Sequence, residues 1–218
     1  DIGSDELIAR SRGLNFCGAE VDMSIRPGWF YHEEEDNQVR SFENLKDIYL
    51  KSVGGNTTVL LNLPPMKNGR IHETDVANLK QLGEFIENTF KYNLVDEAGI
   101  TTIPPLDCRE KEPTVLRTDD YETYFMNEVG TNKLMIKLNW VEKKKLNYLV
   151  LKEAIPFSQR VEKFKVCYEE NGSMKECYNG TTIGYKKIID LKGIQTDFLA
   201  IVIEDSRVAP VMSFVGVY

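Results

Sequence analysis

Between Ala19 and Ile25 apolar and polar residues alternate without interruption. Ala19, Val21, Met23 and Ile25 share one parity, and Glu20, Asp22 and Ser24 share the other. Side chains on a strand point alternately to opposite faces, so the pattern predicts a strand with one apolar face and one face bearing two carboxylates. The run breaks at Arg26-Pro27-Gly28 and presents Trp29, Phe30, Tyr31 and His32. His32 to Asn37 reads as a solvated acidic loop, whose acids could instead bind a cation. From Ser41 the period changes. Leu45, Ile48, Tyr49 and Val53 lie at helical spacing, which predicts a helix opened by Ser41 and stopped by Gly54-Gly55. Thr57 to Leu63 is nearly continuously apolar and ends at Pro64-Pro65, the pattern of a strand covered on both faces. Thr74 as N-cap and a stripe of Val76, Leu79, Gly83, Ile86 and Phe90 predict a second helix, with Gly83 allowing close approach to a sheet. Residues 17–90 therefore read strand, helix, strand, helix. These are two βα units of the kind that build a TIM-type barrel, and two units cannot close a barrel of eight.

The stretch before them, residues 1–16, reads as a loop with one helical turn. Beyond them, Tyr92 to about Pro113 is a boundary, marked by Asp96-Glu-Ala-Gly, Pro104-Pro105 and Pro113. The pattern then becomes short strands: Leu134–Leu138, Tyr148–Leu151, Val161–Tyr168, Tyr185–Ile189, Phe198–Ile203 and Val211–Tyr218. Turn signals at Asn171-Gly172 and Asn179-Gly180 separate some of them, and short strands at this spacing suggest a β-sandwich. The expected architecture is α/β plus all-β: residues 1–91 as the last two βα units of a TIM-type barrel, then residues 92–218 as an antiparallel β-sandwich.

Composition changes this picture little. The 218 residues are 42% hydrophobic and 28% charged, which suits one large or two small globular domains. No apolar run approaches the roughly 20 residues of a membrane span. A net charge of -7 argues against nucleic acid or an anionic membrane as partner. No leader peptide is visible; one could have been removed or lie upstream of Asp1. The cysteines, Cys17, Cys108, Cys167 and Cys177, fit no zinc pattern. Cys167 and Cys177 flank the predicted hairpin turn, where they could be bonded or free. Asn56, Asn171 and Asn179 begin matches to the glycosylation acceptor pattern.

The stretch AEVDMSIRPGWFYH, followed by SFENLKDIYLKSVGGNTTVLLNLPPMKNGRI, resembles the C-terminal part of the α-L-fucosidases of glycoside hydrolase family 29. The resemblance covers roughly residues 1 to 91, and SIRPGW and LLNLPP at this spacing are specific to it. The end of the chain, Ile203 to Tyr218, is similar to the last strands of galactose-binding-like (discoidin-type) sandwiches, which often follow the fucosidase barrel. The resemblance implies a retaining, exo-acting glycosidase on fucosylated glycans, a secreted or periplasmic location, and no cofactor.

Most glycosidases use two carboxyl groups. Glu20 and Asp22, two positions apart on one strand face, would be separated by about 6–7 Å, near the spacing that chemistry needs. The family's nucleophile, however, is an aspartate on an earlier barrel strand in a W-x-D-G-like context, and no such motif occurs in this chain. Glu20 is then the candidate acid/base, or else a carboxylate at the barrel mouth that hydrogen-bonds Arg26; Asp22 reads as structural. By the resemblance Trp29 lines the apolar wall for the C5 methyl of fucose, a contact an indole makes well. Arg26 is a candidate to hold a sugar hydroxyl or a carboxylate, or else for a structural salt bridge. His32 is a candidate for a hydroxyl or the leaving-group sugar, or else a surface loop histidine. In the sandwich Tyr121, Tyr124, Trp140 and Tyr148 offer a stacking platform or simply core and rim packing. Glu204-Asp205 and Asp119-Asp120 offer oxygen ligands of the kind calcium takes. Two functional readings are open. In one, this is the C-terminal part of an α-L-fucosidase that needs the N-terminal barrel portion as its partner. In the other, the isolated chain is a non-catalytic carbohydrate-binding or scaffold module.

Overall fold

The computed structural model describes residues 10, 16–103, 112–120, 122–127 and 130–218. Most of the helical turn expected within residues 1–16 lies outside them. The described residues form two compact units, one spanning Gly18–Tyr92 and the other Asn93–Val217.

The first unit is built on two parallel strands, β1 (Ala19–Ser24) and β2 (Thr57–Asn62), in unbroken register from Ala19 opposite Thr57 to Ser24 opposite Asn62. Helix α1 (Phe42–Ser52) connects them, and α2 (Glu73–Thr89) follows β2. The Ser41 hydroxyl caps α1 by accepting from the Asn44 amide at 3.3 Å, as its sequence position suggests. Glycine is required just beyond the helix, because a Cβ at Gly55 would lie 2.1 Å from the Lys51 carbonyl oxygen. The cap of α2 is His72 rather than Thr74: its Nδ1 accepts from the Thr74 amide at 3.3 Å. Gly83 is not a point of close approach, since a Cβ there would meet nothing within 4 Å. Leu82 and Phe85 pack instead: Leu82 against the apolar core, Phe85 against Phe42 of α1 at 6.1 Å.

That core consists of Met23, Ile25 and Leu45, with Val39, Ile48, Val59, Leu61 and Leu63 against it. It occupies only one side of the sheet. Glu20, Asp22, Thr58 and Leu60 are exposed, Leu60 to 54%. The expectation that the second strand is covered on both faces therefore fails for the described residues. The core lies on the Val59 and Leu61 side, and nothing described in this unit buries Thr58 and Leu60.

The second unit is antiparallel. Its strands are β3 (Gly99–Ile103), β4 (Phe125–Met126), β5 (Leu134–Glu153), β6 (Val161–Glu170), β7 (Ser173–Gly180), β8 (Lys187–Ser206) and β9 (Val211–Val217). The segments expected as separate strands at 134–138 and 148–151 belong to one strand, β5, and those at 185–189 and 198–203 fall almost wholly within β8. A straight 20-residue strand would run about 66 Å, far beyond a domain with a radius of gyration of about 14 Å. The β5–β8 ladder accordingly breaks register between Asn139 and Lys144 and again between Leu146 and Tyr148. On one side of the break the strand order is β3-β5-β8-β6-β7; on the other it is β4-β9-β5-β8. Leu134, Ile136 and Leu138 from the first part share one apolar cluster with Leu149, Leu151, Val215 and Val217 from the second. Two sheets over one core is the layering expected of a sandwich.

Strands β3 and β7, like the two-residue β4, escaped the sequence pattern. The first lies in the stretch read as a boundary, and the second incorporates Asn179-Gly180, which is no turn. Asn171-Gly172 is the hairpin turn expected, with φ of 54° and 75°, the left-handed pair of a type I′ turn.

Candidate functional site

The carboxyl ends of β1 and β2 are stitched together by side chains from the two sequence motifs. Asn62, the polar residue within LLNLPP, donates from Nδ2 to the Ser24 hydroxyl at 3.1 Å and to the Trp29 carbonyl at 3.0 Å. Arg40 donates to the Ser24 carbonyl at 2.8 Å from Nε and to the Ile25 carbonyl at 2.9 Å from its amide. The backbone at the end of β1 and in the loop beyond it is thus held by Arg40, just before α1, and by the last residue of β2.

Arg26 is the centre of a second network. It is 1% exposed, and its Nε and Nη2 donate to the two carboxylate oxygens of Asp75, both at 2.9 Å. Nη1 lies 2.9 Å from Asp36 and donates to the His32 carbonyl at 3.3 Å. The Asp75 hydrogen bond holds the guanidinium pKa above its ordinary range, against the opposing effect of burial. Its face stacks on the Tyr31 ring at 4.6 Å, and Tyr31 donates its hydroxyl to Asp36 at 3.2 Å. Burial and that hydrogen bond push the Tyr31 hydroxyl pKa up, so the phenol stays protonated at neutral pH. His72 Nε2 also reaches Asp36, at 3.4 Å. A bidentate pair of this kind fixes geometry as well as charge. Of the two roles open to Arg26, the structure shows the salt bridge, and its partner is Asp75 rather than Glu20. Asp75 is a first-turn acid of α2, 49 residues away, and nothing in the local sequence announces the pairing.

Trp29 is 52% exposed and Phe30 77% exposed, so neither belongs to the core of this unit. His32 is exposed at the start of a 3-10 turn, Glu33–Glu35. Glu20 and Asp22 lie on the open face of β1, opposite Thr58 and Leu60. Tyr31, His32, Glu33 and Glu34 from the loop after β1, and Met66, Lys67 and Asn68 from the loop after β2, enclose a pocket of about 370 Å³.

In the second unit most of the described residues considered for sugar or calcium binding are otherwise engaged. Trp140 is 6% exposed and donates from Nε1 to the Leu94 carbonyl at 2.8 Å. Tyr148 is buried, Tyr124 stacks on Phe157 at 4.7 Å, and Tyr121 lies outside the described residues. The three described aromatics form no common platform. Glu204 pairs with Lys165 at 2.7 Å and Lys163 at 3.2 Å, and Asp119 with Lys152 at 2.6 Å. Asp120 accepts from the Thr123 amide at 2.7 Å and the Glu122 amide at 2.9 Å, closing a turn. Among the described residues no group of three or more His, Cys, Asp or Glu is placed to hold a metal. Cys17, Cys167 and Cys177 are free thiols, and Cys108 lies outside the described residues. Cys167 sits opposite Glu176, and the register shift beside it leaves Cys177 out of step. Burial pushes the Cys177 thiol to about 11.

The carboxylate that the sequence pattern does not reveal is Glu153. It is 2% exposed and accepts from the amides of Gly184 at 2.6 Å, Arg160 at 2.7 Å and Val161 at 3.0 Å. It ties three chain segments together from inside the sandwich.

Known proteins resemble the chain over nearly its whole length. Residues 17–90 match the family model described as alpha-L-fucosidase. Over 211 residues the chain is 30% identical to Alpha-L-fucosidase 1 of Arabidopsis thaliana, which takes in 94% of this chain and 41% of that protein. Among solved structures, SpGH29 superposes with a TM-score of 0.85 at 28% identity, over 93% of this chain and 44% of that one. A GH29 fucosidase of Ruminococcus gnavus in complex with fucose superposes with a TM-score of 0.83 at 29% identity, over 92% of this chain and 41% of that one. The chain spans about two fifths of the length of these proteins. Among the described residues no helix is long and apolar enough to cross a membrane.

Proposed function

We propose, from a likeness to the α-L-fucosidases of glycoside hydrolase family 29 that runs through nearly the whole chain, that this is the C-terminal part of a retaining, exo-acting α-L-fucosidase releasing terminal α-L-fucose from glycans. On this reading β1-α1-β2-α2 are the last two βα units of a TIM-type barrel, and the antiparallel unit is its galactose-binding-like sandwich. The observation that carries it is Trp29. It is 52% exposed beyond the carboxyl end of β1, and its backbone is clamped by Asn62 from the end of β2. Barrel enzymes build their sites at that end of their strands. An indole held there can cover the methyl and C–H face of a deoxy sugar. The Arg26–Asp75 pair holds the loop that bears it and acts by positioning, not by touching sugar.

A retaining glycosidase needs a nucleophile that forms a glycosyl-enzyme intermediate and a carboxylic acid that protonates the leaving oxygen, then takes a proton from water. No W-x-D-G-like nucleophile motif occurs in this chain, so the nucleophile comes from the rest of the barrel. Glu20, on the open face of β1, is the candidate proton donor. The same absence supports a second reading for the chain on its own, as a non-catalytic sugar-binding or scaffold module. The location that goes with this reading is secreted or periplasmic. The discriminating assay is hydrolysis of an aryl α-L-fucoside. The 218-residue chain alone is expected to give none, and the protein that joins it to the remaining barrel is expected to turn over. Turnover by the isolated chain above a Glu20→Gln control, or none by the complete protein, overturns the reading.

A further inference from the structure

The pocket between the loops after β1 and β2 has a composition that the fucose-binding role of Trp29 does not use. Its volume, about 370 Å³, lies within the range of small-ligand sites, about 300–1,000 Å³. Part of each wall is held without a ligand. On one side the Tyr31 ring is held by the Arg26 guanidinium and by Asp36, and the His32 carbonyl accepts from Arg26. On the other, the Met66 amide donates to the Arg70 carbonyl at 2.8 Å, and the Gly69 amide to the Met66 carbonyl at 2.8 Å. Asn68 Oδ1 closes that turn by accepting from the Arg70 amide at 3.0 Å. Pre-set walls of this kind lower the ordering cost of binding.

The lining gives the chemistry. Tyr31 and Met66 offer apolar surface for C–H groups, and His32, Asn68, Glu33 and Glu34 offer the mixed donors and acceptors that sugar hydroxyls need. Two carboxylates against the single ammonium of Lys67 leave the lining net negative. Tyr31 follows Trp29 by two residues, so the pocket lies at the same end of the strands as the exposed indole. Accepting the fucosidase reading, we propose that this pocket holds the neutral, hydroxyl-bearing sugar to which fucose is attached and that Glu33 and Glu34 disfavour anionic glycans in the same place. The pocket then sets which glycans are processed, while the wall formed by Trp29 recognises fucose itself.

Lactose and 3′-sialyllactose serve as neutral and anionic probes that contain no fucose. Titrated into the isotopically labelled complete protein, which supplies the strands that the first unit lacks, lactose is expected to shift amide signals of Tyr31–Glu34 and Met66–Asn68. Sialyllactose is expected to bind roughly fivefold more weakly or worse, from like charge at close range. The Glu33→Gln, Glu34→Gln double variant, altered only at exposed side chains, is expected to narrow that gap. Lactose that leaves those amides unmoved, sialyllactose that binds as well as lactose, or a gap unchanged in the double variant each overturns the proposal. Hydrolysis of an aryl α-L-fucoside by the complete protein is scored separately. Its absence removes the fucosidase reading and with it the leaving-group role, whereas turnover without lactose binding removes the pocket proposal alone.

Discussion

Trp29 and Glu153 show how one residue's surroundings decide what its loss would cost. Trp29 is half exposed, so truncation leaves no cavity in the core. On the fucosidase reading, Trp29→Ala in the complete protein is expected to remove about 2–3 kcal/mol of apolar contact with the sugar. That is roughly a 30- to 150-fold fall in kcat/KM, with a melting temperature close to that of the parent. A packing tryptophan would show the opposite, near-normal turnover and a large loss of thermal stability, and both are read on the same sample. Glu153 is buried, and burial raises its pKa above the ordinary 4.5 despite three amide donors that work the other way. In the window between the ordinary and the raised value the native state keeps a proton that the unfolded chain has released. Stability from this group is therefore present below the ordinary value and is lost as pH rises through the raised one. The urea midpoint of the sandwich is expected to fall as pH rises out of the ordinary carboxylate range, and Glu153→Gln is expected to flatten that dependence. The amide can keep one acceptor but turns its NH₂ toward a backbone amide, a mismatch costing about 1–3 kcal/mol at all pH values. An unchanged slope in the variant would assign the pH dependence to another group.

At the scale of the element, two glycines differ in what their missing side chain does. Gly55 stands just beyond α1, where a Cβ would collide with the Lys51 carbonyl, while Gly83 stands inside α2 with open space around it. Gly83→Ala is expected to stabilise the first unit by about 1 kcal/mol, the difference in helix propensity between the two residues. Chemical denaturation followed by far-ultraviolet circular dichroism measures it, and a destabilised variant would mean that something packs on that position in the assembled protein. The stripe of α1, the Ser41 cap, the Gly54-Gly55 stop and the Asn171-Gly172 turn were legible in sequence because each is a local device. The two 20-residue strands were not. A strand that bends across a register shift places polar residues such as Glu142, Lys143 and Lys144 in its middle, and alternation alone then reads as two strands and a loop.

For the molecule as a whole, the two units differ in how much of their own surface they bury. The sandwich closes two sheets on one core that runs from Val95 to Val217. The first unit has two strands, a core on one side, and Leu60 bare on the other. A two-stranded sheet covered on one side only leaves apolar surface such as Leu60 in water and buries little for its length. A fragment of residues 93–217 is expected to melt cooperatively, and one of residues 18–92 is expected to lack a cooperative transition unless the remaining strands are supplied. A sharp transition in the shorter piece would show that its open face needs no cover.

The sequence by itself determined the order of the first four elements, the antiparallel character of the second unit, and the two motifs at the ends of the parallel strands. Those arise from side-chain periodicity and from turn and cap residues, which act over a few positions. Only the tertiary structure decided what Arg26 does, because its partner Asp75 is brought to it by the packing of α2 and not by any local pattern. The same holds for Glu153, whose amide donors lie 7, 8 and 31 residues away. It holds equally for the pocket, which exists only because parallel pairing of β1 and β2 sends both succeeding loops to the same end. A sequence states what each residue can donate, accept or bury; which groups meet is settled when chain closure and burial are satisfied together.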